Sequence, residues 1–408
     1  MKKINRREFI KAAAILTGGS FFAGCDEIFK NPNVKYLRQI ITSNSENSRC
    51  IMWESDAKFS APAVEINGVK IPAIDSSFTY DQRENIQYTA QIENLSPDTE
   101  YNFKIYDGEN LIGAGNFKTS SDKKFKAIVV SDSQSRDYGY WGELIRAAFE
   151  RNSDAEFFID IGDIVDCGEA TYQWQNWMNQ AEPLLKNLAF VPIMGNHECY
   201  DRNWEDKMPI AYLNYFAVPD NGVENFSRRF YSFDYGQAHF VVLDSQWQEL
   251  AQYTPNMVEV QKKWLREDAA KTSKKWKIAL IHKDVLQYRL HGHPERKEGF
   301  SDVGAYFMPE FENLGFDLVF SAHLHTYRNR WRIKNFKKDP TGTLYIMTGL
   351  SGDVRYPGIW IDHVLDKVIA PQPETDNYLT LEVDDKILTV KCFLPDGKLI
   401  DEISLTKV

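Results

Sequence analysis

Phe125-Lys126-Ala127-Ile128-Val129-Val130-Ser131-Asp132 is an apolar run of strand length that ends on an acid. The same grammar recurs downstream. Glu156-Phe157-Phe158-Ile159-Asp160-Ile161 leads into Gly162-Asp163, and Val191-Pro192-Ile193-Met194 leads into Gly195-Asn196-His197-Glu198. Ile278-Ala279-Leu280-Ile281 meets His282, and Leu318-Val319-Phe320 runs into Ser321-Ala322-His323-Leu324-His325. Short apolar runs bounded by polar turns read as buried strands. Between the first two, Trp141, Leu144, Ile145, Ala148 and Phe149 recur at helical spacing, so the fold is α/β. Sheets of this kind build their sites on the loops at the C-terminal strand ends. One polar residue at a strand end means little. Five strand ends that all deliver Asp, Asn or His, the side chains that ligate metal ions, point to one shared site.

Upstream, residues 36–119 show no helical period. Arg49-Cys50-Ile51-Met52-Trp53-Glu54 alternates like a strand, and Asn67-Gly68 is a hairpin turn. Leu95-Ser96-Pro97-Asp98-Thr99-Glu100-Tyr101 resembles the tyrosine corner of fibronectin type III domains, in which a Tyr hydroxyl bonds back to upstream backbone. The polar stretch Ser120-Ser121-Asp122-Lys123-Lys124 marks a boundary. It separates an all-β, fibronectin III-like sandwich over 34–120 from an α/β domain over 124–408. Residues 378–405 alternate like strands around the turn Pro395-Asp396-Gly397 and are expected to close the α/β sheet.

The chain has 408 residues, which fits two domains. Its net charge of −10 argues against a nucleic-acid partner, which would call for a basic surface. At the N-terminus, Asn5-Arg6-Arg7-Glu8-Phe9-Ile10-Lys11 resembles the twin-arginine export motif, and an apolar stretch follows over 12–23. Phe22-Ala23-Gly24-Cys25 resembles a lipoprotein processing site, with Phe22 unusual for its place. Residues 1–24 therefore read as a signal peptide. The expected protein is exported, periplasmic or at the cell surface, and meets the membrane only through a lipid on Cys25. An uncleaved membrane helix is the alternative, although the stretch is short for one. Loss of residues 1–24 removes five positive charges and one negative, leaving about −14. Cys50, Cys167, Cys199 and Cys392 then remain. Four cysteines allow three pairings, with Cys167 and Cys199 each just behind a motif, and buried inert thiols are the equal alternative.

An acidic protein that handles phosphate must concentrate positive charge locally, and metal ions do so. Two ions lower the pKa of a shared water and clamp the oxygens of an in-line transition state. Oxygen and imidazole donors suit such ions.

Asp132, Gly162-Asp163, Gly195-Asn196-His197-Glu198, His282 and His323-Leu324-His325 resemble the five ordered motifs of the calcineurin-like metallophosphoesterases. The purple acid phosphatase branch is the most similar, and it too places a fibronectin-like sandwich before the catalytic domain. Tyr231-Ser232-Phe233-Asp234-Tyr235-Gly236, His239-Phe240-Val241-Val242-Leu243 and Tyr327 are similar as well. The resemblance implies a metallophosphoesterase sandwich of two mixed β-sheets flanked by helices. It further implies a phosphomonoesterase acting on small phosphorylated substrates with two metal ions, Fe, Mn, Zn or Mg. Carried over residue by residue, Asp163 bridges the ions. The first takes Asp132, Asp163 and His325, and the second takes Asp163, Asn196, His282 and His323. A hydroxide between them attacks phosphorus, and His197 protonates the leaving alkoxide as general acid.

Two residues depart from the family pattern: Gln134 stands where many relatives have His, and Asp166 where purple acid phosphatases have Tyr. The Gln134 amide oxygen, the Asp166 carboxylate or a water then completes the first site, and no tyrosinate colour is expected. His291 and His293 lie in the loop after His282, where related phosphatases carry pocket histidines, which implies substrate contact; a solvated loop is the alternative. Trp174 and Trp177 either line a pocket for a ring or sugar or pack against the sheet. A phosphodiesterase with the same site, and a metal-deficient surface binding module, are the competing functions.

Overall fold

The structure, a computed structural model, describes residues 34–80, 82–370 and 375–407. The expected signal peptide, residues 1–24, and Cys25 lie outside the described residues. Strands Phe125–Val130, Phe157–Asp160 and Ala189–Pro192 lie side by side and parallel. Asp160 pairs with Val130 on one side and Pro192 on the other, so three of the motif loops leave the sheet at one level. Trp276–Ile281 and Leu318–Ser321 are parallel neighbours in a second sheet of seven strands. These are the five strands the apolar runs predict. Residues at their centres are buried on both faces, which is why the runs are continuous rather than alternating.

The two sheets pack face to face. Phe125, Phe157, Phe233, Tyr235, Phe240, Leu280 and Phe320 meet between them, with Phe157 and Tyr235 ring centroids 4.4 Å apart. Burial of each such side chain contributes about 1.5–3 kcal/mol. The predicted helix spans Tyr138–Arg151, capped by the Asp137 carboxylate, which accepts the Gly139 N–H. With Thr171–Gln180 and Glu182–Asn187 it covers the outer face of the first sheet. Met257–Ala269 and Asp302–Leu314 cover the second. Trp174 and Trp177 are fully buried, so the pocket reading fails for both. Trp177 stacks on Trp141 at 5.7 Å, and the indole N–H of Trp174 donates to the Gly168 carbonyl at 2.9 Å. All four described cysteines are free and buried; the Cys167 and Cys199 thiols donate to the Tyr200 and Gly195 carbonyls.

Residues 35–118 form eight strands. Their core holds Trp53, Val64, Tyr88, Phe103 and Ile105, and the Ser96 N–H donates to the Tyr101 hydroxyl at 2.8 Å. One pairing is invisible in local periodicity. Strand Lys35–Ile40 runs parallel to Ala189–Pro192, with Gln39 opposite Ala189 and Ile40 opposite Phe190. The N-terminal strands thereby extend the first α/β sheet into a single ten-stranded sheet. At the other edge, Tyr378–Val383 pairs antiparallel with Phe125–Val130, and two further strands follow, as the alternating tail predicts.

His239, on a central strand, is held by Asp234 and Asp268, each 2.8 Å away. Burial opposes its charge, but the two carboxylates prevail and raise its pKa to about 9. A raised histidine stabilises fully below its unfolded value of about 6.5 and loses that contribution as pH rises. His239→Gln is therefore expected to lower the melting temperature most at about pH 6 and least above about pH 9. A melting gap that does not change with pH would show that the imidazole carries no charge.

Candidate metal centre

The motif loops turn tightly. Asp132, Asp163, His323 and His325 all have positive φ, at 48°, 54°, 75° and 54°. Such backbone is costly for residues with a side chain and persists where its surroundings over-determine it. At Asp163 the surroundings are two glycines and a buried acid. A Cβ on Gly195 would sit 2.2 Å from Asp163 Oδ1, and one on Gly162 2.7 Å from the Gly195 nitrogen. The Glu198 carboxylate then accepts the N–H groups of Asp163 (3.0 Å), Ile164 (2.9 Å), Val165 (3.2 Å) and Gly195 (2.7 Å). Glu198 thus ties the Asp163 turn to the Asn196 turn.

The turns bring the predicted donors together in two overlapping groups. Ligand atoms of Asp132, Asp163 and His325 lie within 4.8 Å of one another, and so do those of Asp163, His282 and His323. Asp163 is common to both. Its Oδ2 is 3.0 Å from His282 Nε2, and its Oδ1 accepts the His197 N–H at 2.9 Å. Asn196 joins the second group, its Oδ1 3.3 Å from His282 Nε2. The far ring nitrogens are aimed by backbone: His282 Nδ1 faces the Ile161 carbonyl at 2.8 Å, and His325 Nδ1 the Val354 carbonyl at 2.7 Å. This outer bonding fixes ring orientation in metal sites.

Charge explains the titration of the site. Burial, opposed by His282 and reinforced by the Asp163 charge, pushes the Asp132 carboxyl up to about 8. Burial also works against Asp163, but His282, then His197, hold it below the usual carboxylate range. Burial would lower His282, yet Asp163 raises it to about 9. Burial keeps His323 well below its ordinary value and brings His325 down to about 4. Two neutral imidazoles thus offer lone pairs beside an ion pair whose proton sits where a cation would be held. Gln134 Oε1 and His323 Nδ1 are buried without a hydrogen-bond partner. Orphaned acceptors among oxygen and imidazole donors fit metal ions.

The remaining candidates divide. His197 sits beside the groups, its Nδ1 2.7 Å from the Asp166 carbonyl and its Nε2 3.3 Å from Gln134 Nε2. The Asp166 carboxylate lies outside both donor groups and faces His197, with Oδ1 3.6 Å from Nδ1. His291 and His293 are exposed. Their backbone N–H groups donate to Ile359 and Leu290, and the His293 ring meets Glu295 at 3.1 Å. None of these bonds reaches a donor group. Sequence reasoning gave no role to Glu198, although it closes the Gly195-Asn196-His197-Glu198 motif. An acid so near a predicted ligand was the available signal. It also missed Tyr200, whose hydroxyl lies 3.4 Å from Asn196 Nδ2.

Residues 125–327 match the calcineurin-like phosphoesterase family. The chain carries a calcineurin-like metallophosphoesterase domain, in the metallophosphoesterase fold, behind a strand-rich N-terminal region. Its relatives are purple acid phosphatases. Purple acid phosphatase 15 of Arabidopsis thaliana is 30% identical over 240 residues, covering 55% of this chain and 42% of that protein. Phosphoenolpyruvate phosphatase of Allium cepa is 26% identical over 266 residues, covering 63% and 53%. A purple acid phosphatase from yellow lupin (Lupinus luteus) seeds superimposes with a TM-score of 0.73 at 18% identity, over 93% of this chain and 75% of that one. The chain spans about half the length of the curated relatives it matches.

Glu198 is buried among N–H donors that a neutral amide cannot satisfy. Glu198→Gln sets an NH2 against them and is expected to lower unfolding free energy by about 2–4 kcal/mol in urea titrations. A loss under about 0.5 kcal/mol would show that the two turns hold without the carboxylate.

Proposed function

We propose that the chain hydrolyses phosphate monoesters at a two-metal centre, with His197 as general acid. The observation that carries this reading is the pair of donor groups sharing Asp163, because a dinuclear centre requires one carboxylate common to two sites. Asp132, Asp163 and His325 would hold one ion, and the Gln134 oxygen, buried with no hydrogen-bond partner, is a candidate fourth donor. Asp163, Asn196, His282 and His323 would hold the other. When bound, the ions supply a nucleophile at neutral pH and positive charge against the phosphoryl oxygens.

The chain's own residues do the rest. Asp163 fixes His197 from one side through the backbone N–H. The Asp166 carbonyl fixes the ring from the other by accepting from Nδ1. This leaves Nε2 as the atom that gives a proton to the departing oxygen, with the Asp166 carboxylate on the far side of the ring, Oδ1 3.6 Å from Nδ1. Relatives named as phosphatases support an ester substrate, and one of them is named for the monoester phosphoenolpyruvate. A phosphodiesterase would use the same donors.

The purified protein, loaded in turn with Mn, Zn and Fe beside a chelated control, is expected to turn over a chromogenic monoester faster than the diester. Preference for the diester would replace monoesterase by phosphodiesterase. Turnover that survives chelation would remove the two-metal reading, and absence of turnover with every metal would favour a binding module. In His197→Ala, kcat is expected to drop about 100-fold or more on alkyl esters and far less on nitrophenyl esters. Equal losses on both would remove the general-acid role.

A further inference from the structure

Trp204 is an indole held where an indole is costly. It is 57% exposed, and its φ of +64° lies in the left-handed region that bulky side chains avoid. The loop beneath it is closed by its own bonds. The Asp201 carboxylate accepts the N–H groups of Asn203 at 2.7 Å and Glu205 at 3.0 Å. The Trp204 N–H donates to the Asp201 carbonyl, and the Asp201 N–H to the Glu205 carbonyl. An antiparallel bridge between Tyr200 and Asp206, and the Lys207 N–H on the Cys199 carbonyl at 2.8 Å, fasten its base to the end of the Asn196 motif. The loop apex is thus over-determined, and what it presents is a ring outside the core.

The ring stands beside the reacting group. Trp204 lies perpendicular to the His197 imidazole, with centroids 5.8 Å apart, and 6.0 Å from Tyr200, which itself flanks His197 at 5.6 Å. Backbone strain that is locally enforced collects at ligand clamps. In the reading above, the bond that breaks joins phosphorus to the oxygen that takes the His197 proton, so whatever is attached to that oxygen leaves on the His197 side. We propose that Trp204 is a specificity-determining residue that receives a planar leaving group, making aryl phosphates the preferred substrate class. Offset or edge-to-face contact of a substrate ring with the indole adds to simple apolar burial, and an alkyl group gains no such term.

This assignment rests on the phosphoester hydrolase reading, and the test separates the two. Phenyl phosphate and glycerol phosphate are compared in metal-loaded wild type, Trp204→Gly and Trp204→Phe. Glycine takes positive φ without strain, so the Gly variant removes the ring while keeping the loop, and its melting temperature is expected at or above wild type. The ratio of the phenyl phosphate KM to the glycerol phosphate KM is expected to rise about 3- to 10-fold in Trp204→Gly and to return toward wild type in Trp204→Phe. An unchanged ratio, or a kcat loss shared by both esters, would overturn the proposal, the second outcome making Trp204 a prop for His197. Absence of turnover of either ester by wild type would remove the hydrolase reading and this proposal with it.

Discussion

Four carboxylates, those of Asp132, Asp160, Asp163 and Glu198, are buried at the ends of adjacent strands. Negative charge in a low-dielectric interior is costly unless it is neutralised or hydrogen-bonded, and the remainder of the site can be derived from how each acid meets that cost. Glu198 takes four backbone N–H groups. Asp160 accepts from the Ser133 hydroxyl and the Gly162 N–H, and burial raises its pKa well above the usual range. Asp163 takes the His282 proton and the His197 N–H. Asp132 takes the Ser131 hydroxyl and the His323 N–H, and burial together with the Asp163 charge still raises its carboxyl to about 8. A cation between Asp132 and Asp163 resolves the residual conflict, so the same electrostatics that strain the metal-free site make it selective for positive charge.

That arrangement requires rigid strand ends, and the sheet supplies them. Because Lys35–Ile40 pairs with Ala189–Pro192, the strand that delivers Asn196 is flanked on both sides and is not an edge. The junction is polar and bonded across, with Gln39 Oε1 and Arg49 Nε left buried without partners. Arg38, fully buried, donates to the Tyr215 and Tyr36 carbonyls at 2.9 and 2.8 Å, and the Arg49 guanidinium donates to the Lys118 carbonyl at 2.6 Å. Buried guanidiniums bonded to fixed carbonyls favour one register over its neighbours. The N-terminal strands therefore act as part of the scaffold of the site rather than as a separate appendage. On the far side, Asp284, two residues beyond His282, accepts from Ser321 at 2.5 Å and from Arg330 at 2.8 Å. It thereby couples the loop behind His282 to the strand that ends before His323.

Local pattern exposed what local pattern encodes. A strand buried on both faces must be continuously apolar, so the five strands and their ligand-bearing ends were legible from Phe125 to His325. The Tyr138–Arg151 helix and the alternating tail were legible for the same reason. The sheet-extending pairing of Gln39 with Ala189 was not, since parallel partners far apart in sequence share no periodic signal. Trp174 and Trp177 were ambiguous because an indole serves equally in a pocket or a core. The packing against Trp141 and Phe216 that decides the matter is tertiary. Glu198 was visible as a letter but not as a role, because its function lies in the N–H groups of a turn more than thirty residues upstream.

The two departures from the family pattern meet at one residue. Gln134 and Asp166 occupy positions where the resemblance leads one to expect metal ligands, and in the fold both touch His197: Gln134 through Nε2 at 3.3 Å, Asp166 through its carbonyl at 2.7 Å. The carbonyl contact is backbone and independent of the side chain at 166; the side-chain contacts are the Gln134 amide nitrogen and the Asp166 carboxylate. Gln134 keeps a buried oxygen with no hydrogen-bond partner, and its amide nitrogen lies 3.3 Å from His197 Nε2. The Asp166 carboxylate lies outside both donor groups, with Oδ1 3.6 Å from His197 Nδ1. The two changed positions thus share one neighbour, and a substitution at either alters the packing around the His197 ring.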